Sequence, residues 1–419
     1  MIYISEIIDK EVWDAYGARM GKCTDILAGF SKKQFPPIVA IQVKCDDGVL
    51  KLLAASHIGT LFPSIALNVP QTKISDFEEK GNELFLKKQV LDHQIVDMEG
   101  RRVVRVNDIQ IAFTQNEYVL TGVDVGNLGL LRRLGLEGFY IRIARLFGKL
   151  PQKSVIAWND VVHIEEKDPL QLVKSKEMIS RLPPADIAAI LEDLDRVSGQ
   201  SLMENMDNEV LADALEESPL KTQIEVLSNM DFERAADILE EMEPDEAADL
   251  LADLPTEASQ NLLELMEDEE AQDVRSLLDY PPDTAGGIMT TDFGWIPENL
   301  TVIQAMEYLR RSEEAQDVED MYYIYVLDQN EALKGVIYLR DLVMTEPEKK
   351  VDEIMNRDTI SVFPTESQEE VAYFMAKYDL LSIPVIEEGT DRMLGIVTLD
   401  DAIDTVLPTA YKKRLPRFF

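Results

Sequence analysis

The sequence predicts a multidomain α+β protein: β-barrel-like repeats at the N-terminus, an all-α solenoid of short helices in the middle, and a tandem pair of α/β modules after it. Three observations predict this. Residues 7–26 align without gaps on residues 90–109. Apolar residues recur every twelve positions from Leu182 to Leu278, and residues 288–407 hold a second duplication in which each half reads strand, helix, strand, strand, helix. A chain of 419 residues is a prior for about three domains, and its 46% hydrophobic content is ample for packed cores.

Within 1–165 the copies are IIDKEVWDAYGARMGKCTDI and VLDHQIVDMEGRRVVRVNDI, which set Gly17 on Gly100 and Asp25 on Asp108. An alternating strand pair follows each: IVAIQVK and VLKLLAA around Asp46-Asp47-Gly48, then IQIAF and EYVLTGV around Gln115-Asn116. Asp-Gly between apolar runs is a hairpin signal. Two such β units resemble the PRC-barrel family, whose members serve as protein-interaction modules. His57, His93 and His163 stand isolated, and no nucleophile, base or metal triad supports an enzyme. From Leu128 to Leu150 the chain carries Arg132, Arg133, Arg142, Arg145 and Lys149 against Glu137 alone. Such a basic amphipathic segment can lie on a membrane surface, grip an acidic partner, or pack as a helix pair on its own domain.

The solenoid spans 170–280. Three columns keep its step: Leu182, Leu194, Met206, Ser218, Met230, Met242, Leu254, Met266 and Leu278; Ile190 through Leu202, Ala214, Val226, Ile238, Leu250 and Leu262 to Val274; and Leu191 through Leu263, broken at Arg275. Eight apolar residues in one column have a chance probability of about 0.002 at this composition. Twelve residues allow about two helical turns and a connection. Helices that short must bury their stripes against neighbours. Pro183, Pro184, Pro219, Pro244 and Pro255 fall near the repeat starts, where proline suits a first turn.

The net charge of −38 argues against nucleic acid as a partner and favours cations. Much of it is local: residues 182–278 hold 28 Asp and Glu against 4 Lys and Arg, or −24. Cys23 and Cys45 have no metal-ligand spacing, which predicts buried thiols in a reducing compartment. No segment offers the ~20 apolar residues of a membrane span, and MIYISEIIDKEVWD is no signal peptide, so the expectation is a soluble cytoplasmic chain.

In 284–407, GVIYLRD recurs as GIVTLDD. The duplication resembles a pair of CBS domains, regulatory modules that pair into a flat unit with clefts for adenine nucleotides. The resemblance puts Thr398 and Asp401 at the cleft's hydroxyl and carboxylate positions. In the first copy Tyr338 replaces the hydroxyl, leaving Arg340 and Asp341 for phosphate and ribose and Tyr323 to stack on a base. It further implies ATP or AMP as ligand and a homodimer through the CBS pair.

Solenoid, YPPDTAGGIMTT and CBS pair together resemble the cytosolic portion of the MgtE family of magnesium channels, over about residues 170–406 and through DTAGG, QEEVAYFMAKYDLL and GIVTLDDAIDTV. In that family the acidic solenoid folds against the CBS pair when Mg2+ is abundant, closing a pore. The resemblance implies interface acids at Asp245, Asp249, Glu369, Asp379, Asp401 and Asp404, with backbone carbonyls near Gly287 and Ala376 completing the set. Ser367 stands where the family often has an acid. Mg2+ keeps several waters and uses one or two carboxylates, which suits weak sites between acidic faces. Metal-free, such faces repel: unit charges ~4 Å apart interact by about 4 kcal/mol at an effective dielectric of 20.

The family's membrane domain has no counterpart in the sequence, which runs on only through a basic tail, 408–419. The expectation is a Mg2+-responsive regulatory protein without a pore, cytoplasmic or peripheral to the inner face of the membrane. Its alternatives are the cytosolic part of a split magnesium transporter, working with a separate membrane subunit, and an adenine-nucleotide-sensing CBS protein.

Overall fold

The two N-terminal copies repeat each other bond by bond. The computed structural model describes residues 1–29, 35–74, 76–81, 83–114, 116–146, 154–163, 178–312, 315, 318 and 321–406, and everything below concerns these. Two compact units divide the chain, Met1–Val210 and Leu211–Phe419. In the first, Asp9 and Asp92, equivalent in the alignment, both take left-handed φ angles, 63° and 70°. The Asp9 amide donates to the Cys23 carbonyl at 2.8 Å and the Asp92 amide to that of Val106 at 2.9 Å. The carboxylates of Asp14 and Asp97 each accept amides of the following turn.

The copies are nevertheless not separate barrels. Strand β1 (Ile2–Tyr3), which precedes the first copy, pairs with β11 (Asp108–Thr114) of the second, whereas β8 (Glu83–Phe85), which precedes the second, pairs with β3 (Arg19–Gly29) of the first. Each copy lends its leading strand to the other. Two buried aspartates fasten the exchange. Asp25 accepts the amides of Lys87 and Lys88 at 2.7 and 3.1 Å, and Asp108 accepts the Ser5 amide and hydroxyl at 3.2 and 2.6 Å. Among the described residues the sheets stay open, seven-, four- and three-stranded, and one apolar core containing Ile26, Ile41, Ile95 and Ile109 joins both copies. The mixed α+β expectation holds; no sheet among the described residues closes into a barrel, and each copy draws its leading strand from the other. The Asp-Asp-Gly hairpin forms as expected between β4 (Ile38–Cys45) and β5 (Leu50–Ala54), with Gly48 at φ 87°.

The segment rich in arginine makes α1 (Asn127–Arg133) and α2 (Glu137–Leu146). Arg132 belongs to the interior. Its guanidinium meets Asp108 at 2.8 Å, Glu137 at 3.2 Å and Asp124 at 3.4 Å, and lies 3.4 Å from the Tyr3 ring centroid. Cys23 and Cys45 are free and buried, and burial pushes the Cys23 thiol up to about 12. The first unit also holds α3 (Pro184–Asp193) and α4 (Arg196–Glu204). Arg101, in the turn between β9 (Gln94–Asp97) and β10 (Arg102–Arg105), pairs with Asp186 of α3 at 2.7 Å, and Gln94 bonds the Asp193 carbonyl and Asp195 amide.

The twelve-residue step continues through α5 (Asn208–Glu216), α6 (Leu220–Leu227), α7 (Phe232–Glu240), α8 (Pro244–Asp253), α9 (Thr256–Leu265) and α10 (Asp268–Leu278). Every member of the column from Ile190 to Val274 is buried. Prolines start helices where expected: Pro183, Pro219 and Pro255 at N-caps, Pro184 and Pro244 just inside. Packing is closest between helices two steps apart, α8 on α10 and α7 on α9. Glutamates add links three helices apart, and these recur 24 residues on: Glu216 at the end of α5 accepts the Glu243 amide before α8 at 2.7 Å, and Glu240 at the end of α7 that of Glu267 before α10 at 2.5 Å. The structural repeat is thus two helices long. Ser218, the polar exception, is buried because its hydroxyl donates to the Ala214 carbonyl at 2.7 Å. Arg275 breaks its column to cap the Leu263 carbonyl at 2.7 Å.

The DTAGG string is a close-packed joint. A Cβ on Gly287 would lie 2.2 Å from the Pro281 carbonyl oxygen, and one on Gly286 would strike the Tyr280 ring at 2.6 Å. Beyond it, β15 (Trp295–Pro297), β16 (Tyr323–Leu327) and β17 (Leu333–Tyr338) form one module with α11 (Val302–Leu309) and α12 (Leu339–Met344). The second has β18 (Ser382–Ile386), β19 (Met393–Thr398), α13 (Gln368–Tyr378) and α14 (Leu399–Val406). Thr290 bridges to Ile396 of the second module, and Asn356 back to Val336 of the first. Tyr323, Tyr325, Leu327, Met393 and Ile396 pack between the modules.

Candidate functional site

Pro244 sets the first turn of α8, and Asp245 follows it into the interior, 7% exposed. Its Oδ1 is buried without a hydrogen-bond partner. Burial raises this carboxyl well above the carboxylate range, and the charges of Asp401, Glu243 and Glu246 add to the rise. Two helix starts meet here, because Asp401 lies in the first turn of α14. The strand of GIVTLDD ends at Thr398, whose hydroxyl donates to Asp401 Oδ2. Glu243 keeps much of its surface in solvent, yet its carboxyl is crowded: lost hydration, then Glu216, Asp401 and Asp400, push it up to about 8. Helix N-termini carry partial positive charge, which offsets only part of such repulsion. Crowding of this kind is relieved by protonation or by an added positive charge.

Of the acids implied by resemblance, the structure brings Asp245 and Asp401 together. Asp249 is exposed one turn along α8. Glu369 and Ala376 are exposed on α13, and Asp379 ends that helix at φ 59°. Helix α13 packs along α14. The Asp404 side chain lies outside the described residues, as does the 408–419 tail. Gly287 is demanded by the nearby Pro281 backbone. Among the described residues no three or more His, Cys, Asp or Glu side chains form a metal cage. A hydrated hard cation needs no such cage, since it can share one or two carboxylates through its waters. Sequence reasoning missed Glu243 and Glu216. A signal existed, since Glu192, Glu216, Glu240 and Glu264 recur every 24 residues, the true structural period.

The nucleotide expectation changes in detail. Tyr323 is buried, its hydroxyl accepts the Leu381 amide at 3.2 Å, and its ring meets Tyr338 edge-on at 5.1 Å. Its ring packs in the interface between the modules. Tyr338, 45% exposed, is the accessible ring beside it. Arg340 projects into solvent and pairs with Asp341 at 3.3 Å, while Thr398 is committed to Asp401.

Comparison with known proteins decides the family of this region. Residues 182–283 match the MgtE intracellular N domain, and residues 285–347 and 351–407 each match the CBS domain. The chain carries an MgtE N domain and a CBS pair. Magnesium transporter MgtE of Thermus thermophilus is 44% identical over 133 residues, 32% of this chain and 29% of that protein. The chain thus spans under a third of the length of that curated relative. The crystal structure of the soluble part of a magnesium transporter is 36% identical with a TM-score of 0.54, over 57% of this chain and 92% of that one. That of the cytosolic domain of the Mg2+ channel MgtE in complex with ATP is 34% identical with a TM-score of 0.52, over 56% and 94%. Among the described residues no helix is long and apolar enough to cross a membrane.

Proposed function

We propose that this chain is a Mg2+-responsive regulatory protein in which the MgtE N domain and CBS pair close on the cation at the meeting of α8 and α14. The observation that carries the reading is the buried, unpartnered Asp245 Oδ1 facing the acid of a second helix start. Asp245, Asp401 and Glu243 would hold the ion, which supplies the positive charge that lets these carboxylates approach. Asp249, Glu369, Asp379, Asp404 and carbonyls near Gly287 and Ala376 would take further hydrated ions. A cation that binds the closed form alone shifts the equilibrium toward it, which is sufficient for a sensor. The chain catalyses nothing in this reading; it acts in the cytoplasm, as a homodimer through its CBS pair.

Similarity to the cytosolic domain of a Mg2+ channel supports a downstream membrane pore as partner, encoded apart in a split magnesium transporter. The ATP complex of that relative favours a second ligand, ATP or AMP, at Arg340, Asp341, Thr398 and Tyr338. Small-angle scattering and thermal melting during a Mg2+ titration, with and without ATP, test the reading. Millimolar Mg2+ is expected to compact the protein and raise its Tm, and Asp401→Asn with Asp404→Asn to weaken both. Identical scattering with and without Mg2+ overturns it; tight ATP binding with no Mg2+ response would leave a nucleotide sensor on an acidic scaffold.

A further inference from the structure

The strand-exchanged N-terminal domain carries a surface that the cation reading does not use. Leu130, Leu134, Leu136, Phe139 and Tyr140 are all exposed within eleven consecutive residues of α1, its connection and α2, with Leu134 at 63% and Phe139 at 67%. Monomeric surfaces rarely leave so many large apolar side chains together without a use. The charge beside them is positive. Arg132 is spent on Asp108, Asp124 and Glu137, and Arg133 on Asp92, so the surplus positive charge comes from further along the sequence. Arg142 is exposed on α2, and the sequence continues with Arg145 and Lys149, without another acid before residue 160. In a chain of net charge −38 this is a local reversal of sign.

We propose that α1 and α2 form a docking element for an anionic lipid bilayer surface. The side chains stand on helix ends and a connection rather than lining a groove. A protein partner would have to supply five fitted pockets, whereas the boundary between headgroups and acyl chains accepts such projections without preformed shape. Phe and Tyr suit that boundary, and arginines beside them meet anionic headgroups. The inference stands apart from Mg2+ sensing and survives if that reading fails.

The test is flotation of the full chain with vesicles of phosphatidylcholine alone and of phosphatidylcholine with phosphatidylglycerol, at low and high salt. Flotation with the anionic vesicles, weakened by salt, is expected. Phe139→Ser with Tyr140→Ser should cut the bound fraction about tenfold or more, and Arg142→Gln about fivefold on anionic vesicles alone. Thermal melting confirms that the variants fold, and the lipid and salt dependence of the unmodified chain decides the matter even where they do not. Absence of flotation, equal binding to neutral vesicles, or full binding by the folded Phe139 and Tyr140 variant overturns the proposal. So does a dimer in sedimentation that this double substitution dissociates, since a second copy would then be the occupant.

Discussion

Replacing Asp245 by asparagine removes one negative charge from the meeting of α8 and α14 while keeping its shape. Without metal, the buried carboxyl must take a proton for the two helix starts to meet. When exposed it would have an ordinary value near 3.9, so protonating it near pH 7 costs about 1.36 kcal/mol for each of roughly three pH units, or about 4 kcal/mol. Asparagine avoids this, but its amide goes into the same unpartnered place at a cost of about 1–3 kcal/mol. The metal-free closed form should gain about 1–3 kcal/mol, between about fivefold and a hundredfold in the closing equilibrium. Scattering should show Asp245→Asn compact before Mg2+ is added, with a blunted response to the ion. A variant as extended as the parent without Mg2+ would refute the argument that charge at Asp245 holds the clamp open. Acidity should imitate the substitution. Glu243 rises from 4.5 to about 8 in the closed arrangement, so that form holds a proton the open one lacks. Metal-free closure is then full below 4.5, falls as pH increases, and is lost above about 8. Mg2+ should expel protons across this window, measurable as acidification of a weakly buffered solution.

Two further substitutions probe the frame. Arg132→Ala should destabilise the N-terminal unit by about 3–5 kcal/mol in chemical denaturation, because it strands the buried Asp108 beside Asp124; an unchanged midpoint would mean the network contributes nothing. Gly287→Ala should lower the Tm and weaken the response to Mg2+, since its methyl would lie 2.2 Å from the Pro281 carbonyl oxygen.

The column from Ile190 to Val274 was legible because its period is carried by side-chain polarity, the property that burial selects. What that beat hid is which helix meets which. The two-helix repeat is written in the glutamates at 216 and 240, whose carboxylates reach backbone amides 27 residues on, and hydrophobicity is blind to them. Asp245 and Asp401 were reachable by resemblance; nothing in their spacing shows that one is buried and starved of partners. Tyr323 reads as an available aromatic in sequence, although the second module covers it. Arg132 likewise reads as surface charge until Asp108 and Asp124, brought close by β11 and β12 (Glu117–Asp124), draw it inward.

The exchanged leading strands have a consequence for how the first unit comes into being. Ile2–Tyr3 reaches its partner only when Gln110 and Ile111 have left the ribosome, so the exchange cannot be completed before the second copy is made. Contacts at such separation slow folding. Cutting the duplication apart should not yield two small domains. Each half would present an open sheet edge whose natural complement is the leading strand of a second molecule, as in a domain-swapped dimer. The duplicated chain carries that dimer within one polypeptide, with Asp25 and Asp108 as its two latches.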